Sequence, residues 1–243
     1  MTVGSQSSAG YQAVKDLVDL VLGVVLGVLF SPIIILALVI VRITSPGPAL
    51  YTQVRVGRNG RTFTMFKMRT MYHRCEEASG PRWSPVKGDS RVTPVGRFLR
   101  RTKIDELPQL LNVVLGEMSL IGPRPERPVF ASQLDLVIPH YQRRLDVRPG
   151  LTGLAQIQLP PDTDLASVER KLACDLYYIK HLGPWIDLQI ILCTISYLMG
   201  VPFNHVKQAL QVPDGPIVEA EYQEMNRPGP HAVTPREHEE ACF

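Results

Sequence analysis

Cysteine is scarce in this 243-residue chain: Cys75, Cys174, Cys193 and Cys242 stand far apart, with no C-x-x-C pair and no histidine at ligand spacing. That argues against a zinc site and a dense disulfide framework, and it fits a reducing compartment. G-x-x-x-x-G-K-S/T, G-x-G-x-x-G, H-E-x-x-H and G-x-S-x-G are also absent. The commonest nucleotide-binding loops, zinc proteases and serine hydrolases are thereby excluded. No internal repeat is visible. Acid is missing altogether from Leu20 to Cys75, where seven bases stand: Arg42, Arg55, Arg58, Arg61, Lys67, Arg69 and Arg74.

What is present is ordinary in bulk and uneven in distribution. Hydrophobic residues make up 45% and charged residues 20%, a globular composition for one large or two small domains. The net charge of +3 divides into +8 over residues 1–213 and −5 over residues 214–243. The body is basic. The chain after Gln211 carries Pro213, Pro216, Pro228, Pro230 and Pro235, and the acidic stretch 214–243 reads as a disordered tail.

The longest apolar run, Leu20 to Val41, holds 22 residues without a charge. As a helix it would measure about 33 Å, enough to cross a bilayer core. It lacks the basic leader and small-residue cleavage site of a signal peptide. Ser31-Pro32 interrupts it, because proline removes a backbone hydrogen bond and crowds the preceding turn. The Ser31 hydroxyl can satisfy a freed carbonyl. Two readings compete: a kinked transmembrane helix, and a helix that enters and leaves by one face. The bases after Val41 place the following domain in the cytoplasm under both. Gly23 and Gly27 read as a packing detail rather than a dimer motif.

Beyond Ser45-Pro46-Gly47-Pro48, Tyr51–Val56 and Arg61–Met65 flank Asn59-Gly60, a strong hairpin signal. Residues 76–89 form a loop. Val95–Leu99 is helical. Leu107, Leu110, Leu111, Val114 and Leu115 trace one buried stripe of a helix that starts near Lys103–Asp105, with Thr102 as its N-cap. Leu165–Lys180 is helical. A last helix runs from Pro184 to about Val201 and is buried or lies in a membrane interface.

The chemistry-bearing residues are few. Asp105-Glu106 opens a helix among Arg91, Arg97, Arg100, Arg101, Lys103, Arg124 and Arg127. Those cations favour ionised carboxylates, keeping Asp105 a nucleophile or metal ligand. Two adjacent carboxylates can also share Mg²⁺ with substrate phosphates. Acids at a helix start more often simply complement the dipole. Lys67 and Arg69 alternate after a strand and would share a face suited to phosphate. Pro123-Arg124-Pro125 is a rigid turn. Asp175 stands four residues after Lys171, the spacing of a surface ion pair.

Taken together, these stretches resemble the bacterial sugar transferases, the monotopic phosphoglycosyl transferases. The resemblance rests on Phe66-Lys67-Met68-Arg69-Thr70-Met71, on Arg91 to Thr102, and on Asp105-Glu106-Leu107-Pro108-Gln109-Leu110-Leu111-Asn112-Val113. It continues through Met118 to Pro125, Pro149 to Gln156 and Asp175-Leu176-Tyr177-Tyr178, so that it spans about Asp16 to Met199. It implies an α+β, helix-rich fold with a re-entrant membrane helix (17–43) broken at Ser31-Pro32, a small β-hairpin and amphipathic interfacial helices, all within residues 1–213. It implies transfer of a sugar-1-phosphate from a UDP-sugar to a polyprenyl phosphate at the cytoplasmic face of the inner membrane, with Mg²⁺. Asp105 would attack the β-phosphorus and release UMP, and Glu106 would help Asp105 hold Mg²⁺. Lys67, Arg69, Arg100 and Arg124 would neutralise the diphosphate, the Pro123-Arg124-Pro125 turn would contact the nucleotide, and Asp175 would serve substrate binding.

Ile157-Gln158-Leu159-Pro160-Pro161 departs from the Asn-Gly-Arg-Asn-like stretch of many relatives and bears on sugar selection. The multi-span amino-terminal region of larger relatives is not in the sequence, so the chain resembles the minimal catalytic form. The expected partners are the UDP-sugar, the polyprenyl phosphate and membrane lipids. Nucleic acid is not among them, and a homo-oligomer is compatible with the sequence. The rival from another class is a membrane-tethered basic binding protein for acidic lipid or nucleic acid, against which an acidic pair inside the basic patch speaks.

Overall fold

The apolar run and the polar, small-residue segment ahead of it form one long helix, α1 (Gly4–Thr44), with Pro32 inside it. The structure is a computed structural model that describes residues 4–75, 89–160, 162, 164–201 and 203–227. Most of the expected 76–89 loop therefore lies outside the described residues, as does the segment after Arg227. Ser31 Oγ donates to Val28 O (2.7 Å) in the turn preceding the proline. The break expected at Ser31-Pro32 does not interrupt the helix: α1 continues through it in secondary structure, and it is long and apolar enough to cross a membrane.

One stripe of α1 docks on the rest of the protein along nearly its whole length. Leu22, Leu26 and Phe30 pack on the main core, while Ala37 and Val41 share a second cluster with Met68 and Leu99. At its amino-terminal end, Lys15 pairs with Asp187 (2.9 Å), and Asp19 Oδ1 accepts from the Leu120 N–H (3.1 Å). The other faces, including Val21, Val25, Val28, Leu29, Leu36 and Val39, are exposed.

The hairpin forms as expected around Asn59-Gly60. Strands β1 (Leu50–Val56) and β2 (Thr62–Met68) pair antiparallel from Leu50↔Met68 to Val56↔Thr62. Asn59 and Gly60 both take positive φ, 56° and 76°, a conformation asparagine and glycine tolerate. Helix α2 (Pro94–Thr102) starts at Thr93, whose Oγ1 accepts from the Gly96 N–H (2.9 Å), with proline at the first helical position.

The helix after α2 differs from the expectation. Thr102 ends α2 rather than capping the next element, Lys103 turns the chain in the left-handed region (φ 59°), and Ile104–Gln109 is a 3-10 turn. Only Leu110–Val114 is α-helix, α3. The tighter 3-10 period breaks the 3.6-residue phase, so the stripe faces elsewhere than predicted. Leu110, Asn112 and Val113 are buried, whereas Leu111 and Leu115 are exposed.

Next come β3 (Ser119–Ile121), α4 (Pro128–Val137), a 3-10 turn at Tyr141–Leu145, β4 (Gly150–Thr152) and α5 (Leu154–Gln158). Strands β3 and β4 pair in parallel, Ser119↔Gly150 and Ile121↔Thr152. Helix α6 (Leu165–Lys180) opens on a capping box between Asp164 and Ser167. Helix α7 (Pro184–Leu198) stops before Gly200 (φ 77°), short of the predicted Val201. Ile186, Ile190 and Cys193 of α7 are buried, while Trp185, Leu188, Ile195 and Leu198 are exposed.

Two more helices follow, α8 (Phe203–Leu210) and α9 (Gly215–Asn226). The expectation of a disordered tail does not hold for 215–226. Proline and acid density suggested disorder, but Val218 is fully buried in the main core, and Tyr222 and Met225 pack on a cluster of Leu134, Tyr141, Leu172 and Leu176. Glu221 adds an ion pair to Lys180 and lies 3.1 Å from the His181 Nε2.

Candidate functional site: a carboxylate pair under two cations

Asn112 builds the centre of the site. This fully buried side chain accepts from the Phe66 N–H (3.1 Å) and donates to Thr64 O (2.7 Å) and Glu117 Oε2 (2.7 Å). It thereby straps the segment bearing Asp105 and Glu106 to strand β2, which carries Lys67. Lys67 Nζ then reaches Glu106 Oε1 at 2.8 Å. Arg124, projecting from the turn after β3, donates through Nη2 to the same oxygen at 2.9 Å. Residues 57 positions apart in sequence thus converge on one carboxylate oxygen.

Asp105 is treated differently. Its side chain is buried, and Oδ1 has no hydrogen-bond partner. An unpaired buried carboxylate oxygen costs free energy and is exceptional in folded proteins. Burial raises the Asp105 carboxyl above the usual aspartate range, against the pull of Lys67, Lys103 and Arg100. Burial also opposes ionisation of Glu106, but there Lys67 and Arg124 prevail and hold its carboxyl well below the usual range. Burial therefore works against the cations at Asp105, whereas at Glu106 the cations prevail over it.

Among the described residues no cluster of three or more His, Cys, Asp or Glu side chains could cage a metal ion. The donor set nevertheless fits a hard cation that completes its shell with phosphate and water, since Mg²⁺ commonly takes only one or two protein carboxylates. The unpartnered Oδ1 of Asp105 is such a donor.

The remaining expected residues separate into two groups. Lys67, Glu106, Arg124 and the Pro123-Arg124-Pro125 turn are together. Arg69 is buried elsewhere, donating to Ser45 O (2.6 Å) and to Pro46 O where the chain leaves α1. Arg100 donates through Nε to Thr70 Oγ1 (2.8 Å). Asp175 is buried on α6 and accepts from Arg144 Nη2 (2.8 Å), not from Lys171, which pairs with Asp162. Burial pushes the Asp175 carboxyl up to about 6 even against the pull of Arg144.

Sequence reasoning missed Arg55 and Arg144. Arg55 on β1 donates to Pro125 O (3.0 Å), and Arg144 donates to Arg124 O (2.9 Å). Both lie far from the turn in sequence, and no local pattern signals a side-chain bond to a distant carbonyl. The Lys15–Asp187–Tyr178 network escaped for the same reason; Tyr178 donates to Asp187 Oδ1 at 2.8 Å.

Residues 10–200 match the family described as bacterial sugar transferase. The chain is 43% identical over 187 residues to the UDP-glucose:undecaprenyl-phosphate glucose-1-phosphate transferase of Caulobacter vibrioides, covering 76% of this chain and 69% of that protein. It is 40% identical over 189 residues to the UDP-N-acetylgalactosamine-undecaprenyl-phosphate N-acetylgalactosaminephosphotransferase of Aeromonas hydrophila, covering 78% and 44%. An exopolysaccharide production protein of Rhizobium leguminosarum is 38% identical over 170 residues, covering 68% and 84%. The chain spans less than half of the Aeromonas protein, and α8 and α9 lie beyond the family match. The chain belongs to the bacterial sugar transferase family.

Proposed function

We propose that this protein transfers a sugar-1-phosphate from a UDP-sugar to undecaprenyl phosphate at the cytoplasmic face of the inner membrane, as an early step of polysaccharide synthesis. The observation that carries the reading is the buried, unpartnered Oδ1 of Asp105 beside Glu106, whose charge is balanced by Lys67 and Arg124. Relatives named for UDP-glucose and UDP-N-acetylgalactosamine chemistry support the substrate class.

In the proposed mechanism, the Asp105 carboxylate attacks the β-phosphorus of the donor. The bond from that phosphorus to the bridging oxygen breaks, its electron pair leaves with the oxygen, and UMP departs. The sugar phosphate is then held on Asp105 as a mixed anhydride. An oxygen of undecaprenyl phosphate attacks the same phosphorus and returns the bonding pair to the Asp105 carboxylate. Dividing one anionic displacement into two is the usual gain of a covalent nucleophile. Lys67 and Arg124 face the region where phosphate charge collects, and fixed cations there favour the transition state. Mg²⁺ held by Asp105, Glu106 and the donor phosphates would supply further charge neutralisation.

The membrane arrangement we propose is re-entrant. Both ends of α1 dock on the same body: Lys15 and Asp19 at one end, Ala37 and Val41 at the other. Asp19 and Val41 are 22 positions apart, about 33 Å along a helix, so a full crossing would carry one docked end away from a body on the other side. The exposed faces of α1, with Phe98, Leu111, Leu115 and the outer side of α7, then form the lipid-facing surface.

The test is a screen of UDP-sugars for UMP release by the full chain with undecaprenyl phosphate and Mg²⁺. One donor should support release that stops on chelation. Lipid or nucleic-acid binding without UMP release from any donor would refute the assignment.

A further inference from the structure

A Pro-Arg-Pro turn is hard to hold from outside. Neither proline has an N–H, so the turn can be anchored mainly through its carbonyl oxygens. All three are engaged, each by a different element. Pro123 O accepts from the Gly150 N–H of β4 (2.8 Å), Arg124 O from Arg144 Nη2 of the Tyr141–Leu145 turn (2.9 Å), and Pro125 O from Arg55 Nη1 of β1 (3.0 Å).

Arg144 is the centre of this clamp. Its Nη1 donates to Tyr141 Oη (2.7 Å), and its guanidinium lies over the Tyr141 ring, 5.1 Å from the centroid. Its Nη2 is shared between Arg124 O and Asp175 Oδ2 (2.8 Å). Asp175 is 3% exposed. A buried ion pair is a poor source of stability, because desolvation offsets much of its attraction. A planar fork that meets a phenol, a carboxylate and a carbonyl at once is instead well suited to fixing geometry. Arg124 O, one of those acceptors, belongs to the residue whose side chain pairs with Glu106.

We propose that Arg144, anchored by Asp175, is a positioning residue that sets the Arg124 guanidinium against Glu106 and, on the functional reading above, against the donor diphosphate. Asp175 then acts through Arg144 without touching the substrate. Lysine cannot replace the arginine, because one ammonium on a flexible stem does not span the three acceptors.

The test uses the full chain and two readouts. The first is a double-mutant cycle in UMP release between Arg144→Lys and Arg124→Ala. Arg144→Lys should lower kcat by about 10- to 100-fold, the scale of a small misplacement of a charge-stabilising group, with KM moving less than about threefold. The double variant should be no slower than Arg124→Ala alone. The second readout is independent of catalysis: modification of Arg124 by phenylglyoxal, followed by peptide mass spectrometry. It should accelerate several-fold in Arg144→Lys and Asp175→Asn, compared with wild type at a temperature where circular dichroism shows both variants folded, since breaking a buried pair lowers the thermal midpoint.

Unchanged Arg124 modification in both variants would overturn the inference, as would losses that multiply in the double variant. If the wild-type protein releases no UMP, the functional reading falls, while the modification experiment still decides the positioning role. Should Arg144→Lys fail to fold, Asp175→Asn carries the same two readouts.

Discussion

Gly150→Ala tests how tightly the arginine-bearing turn is built. A methyl there would stand 2.0 Å from the Gly122 nitrogen, 2.4 Å from Thr152 O and 2.6 Å from Gly122 O. Carbon contacts require about 3.5 Å, so the two chains must part by about 1.5 Å. Every obstructing atom is backbone, and no rotamer change can absorb the strain. The Gly150 N–H bond to Pro123 O (2.8 Å) and the Gly122 N–H bond to Thr152 O (2.9 Å) would both lengthen beyond bonding range. Overpacking of about 1–3 kcal/mol and two lost hydrogen bonds of about 1 kcal/mol each together predict roughly 3–5 kcal/mol of destabilisation. At about 2–4 °C per kcal/mol for a domain of this size, the thermal midpoint should fall by roughly 6–20 °C. Arg124 would shift with the turn, and UMP release should fall about 100-fold at temperatures where the variant is folded. Gly27→Ala is the control, since nothing lies within 4 Å of a methyl there. A Gly150→Ala protein that melts within 2 °C of wild type and turns over within twofold would refute the reasoning.

Glu106→Gln leaves Lys67 and Arg124 facing each other without their shared anion, and UMP release should fall by about 100-fold or more, as measured at saturating donor. Val218→Ala empties part of a fully buried contact between α9 and the core and should cost about 2 kcal/mol, visible as a lower thermal midpoint in detergent with kcat retained below it. Glu221 has its carboxyl held below the usual range, where Lys180 and His181 outweigh its burial. The unfolded chain therefore binds the proton more readily, and this contribution to stability is present above the ordinary glutamate value and lost as pH falls through the folded value. Melting curves of Glu221→Gln should lack that part of the acid destabilisation. Single-cysteine probes in a cysteine-free background, placed before Lys15 and in the 57–61 hairpin loop, should label from the same side of sealed vesicles. Labelling from opposite sides would exclude the re-entrant arrangement.

Local grammar was legible in the sequence. Asn59-Gly60 marked the hairpin, Leu165–Lys180 appeared with its bounds intact, and the acid-free apolar run marked α1. Contacts made across the chain were not. The predicted stripe through Leu111 and Leu115 failed because a 3-10 turn at 104–109 shifts the helical phase, an effect that periodicity alone does not reveal. Residues 215–226 looked unstructured because their few apolar side chains are spaced for docking on α6, a surface absent from the local sequence. Asp105 and Glu106 were recognisable as a pair, but their division of labour depends on burial and on which cations reach which oxygen. Arg144 and Arg55 carried no local signal, since their partners are backbone carbonyls of a turn 20 and 70 residues away.

The covalent role of Asp105 is the centre of the account, and intact-protein mass spectrometry tests it most directly. Incubated with its UDP-sugar and Mg²⁺ but no lipid, the wild-type chain should gain the mass of one sugar phosphate, mapped to Asp105, and shed it when undecaprenyl phosphate is added. Asp105→Asn should gain nothing. UMP release that strictly requires the lipid, with no adduct at any time, or normal turnover by Asp105→Asn, would contradict the account.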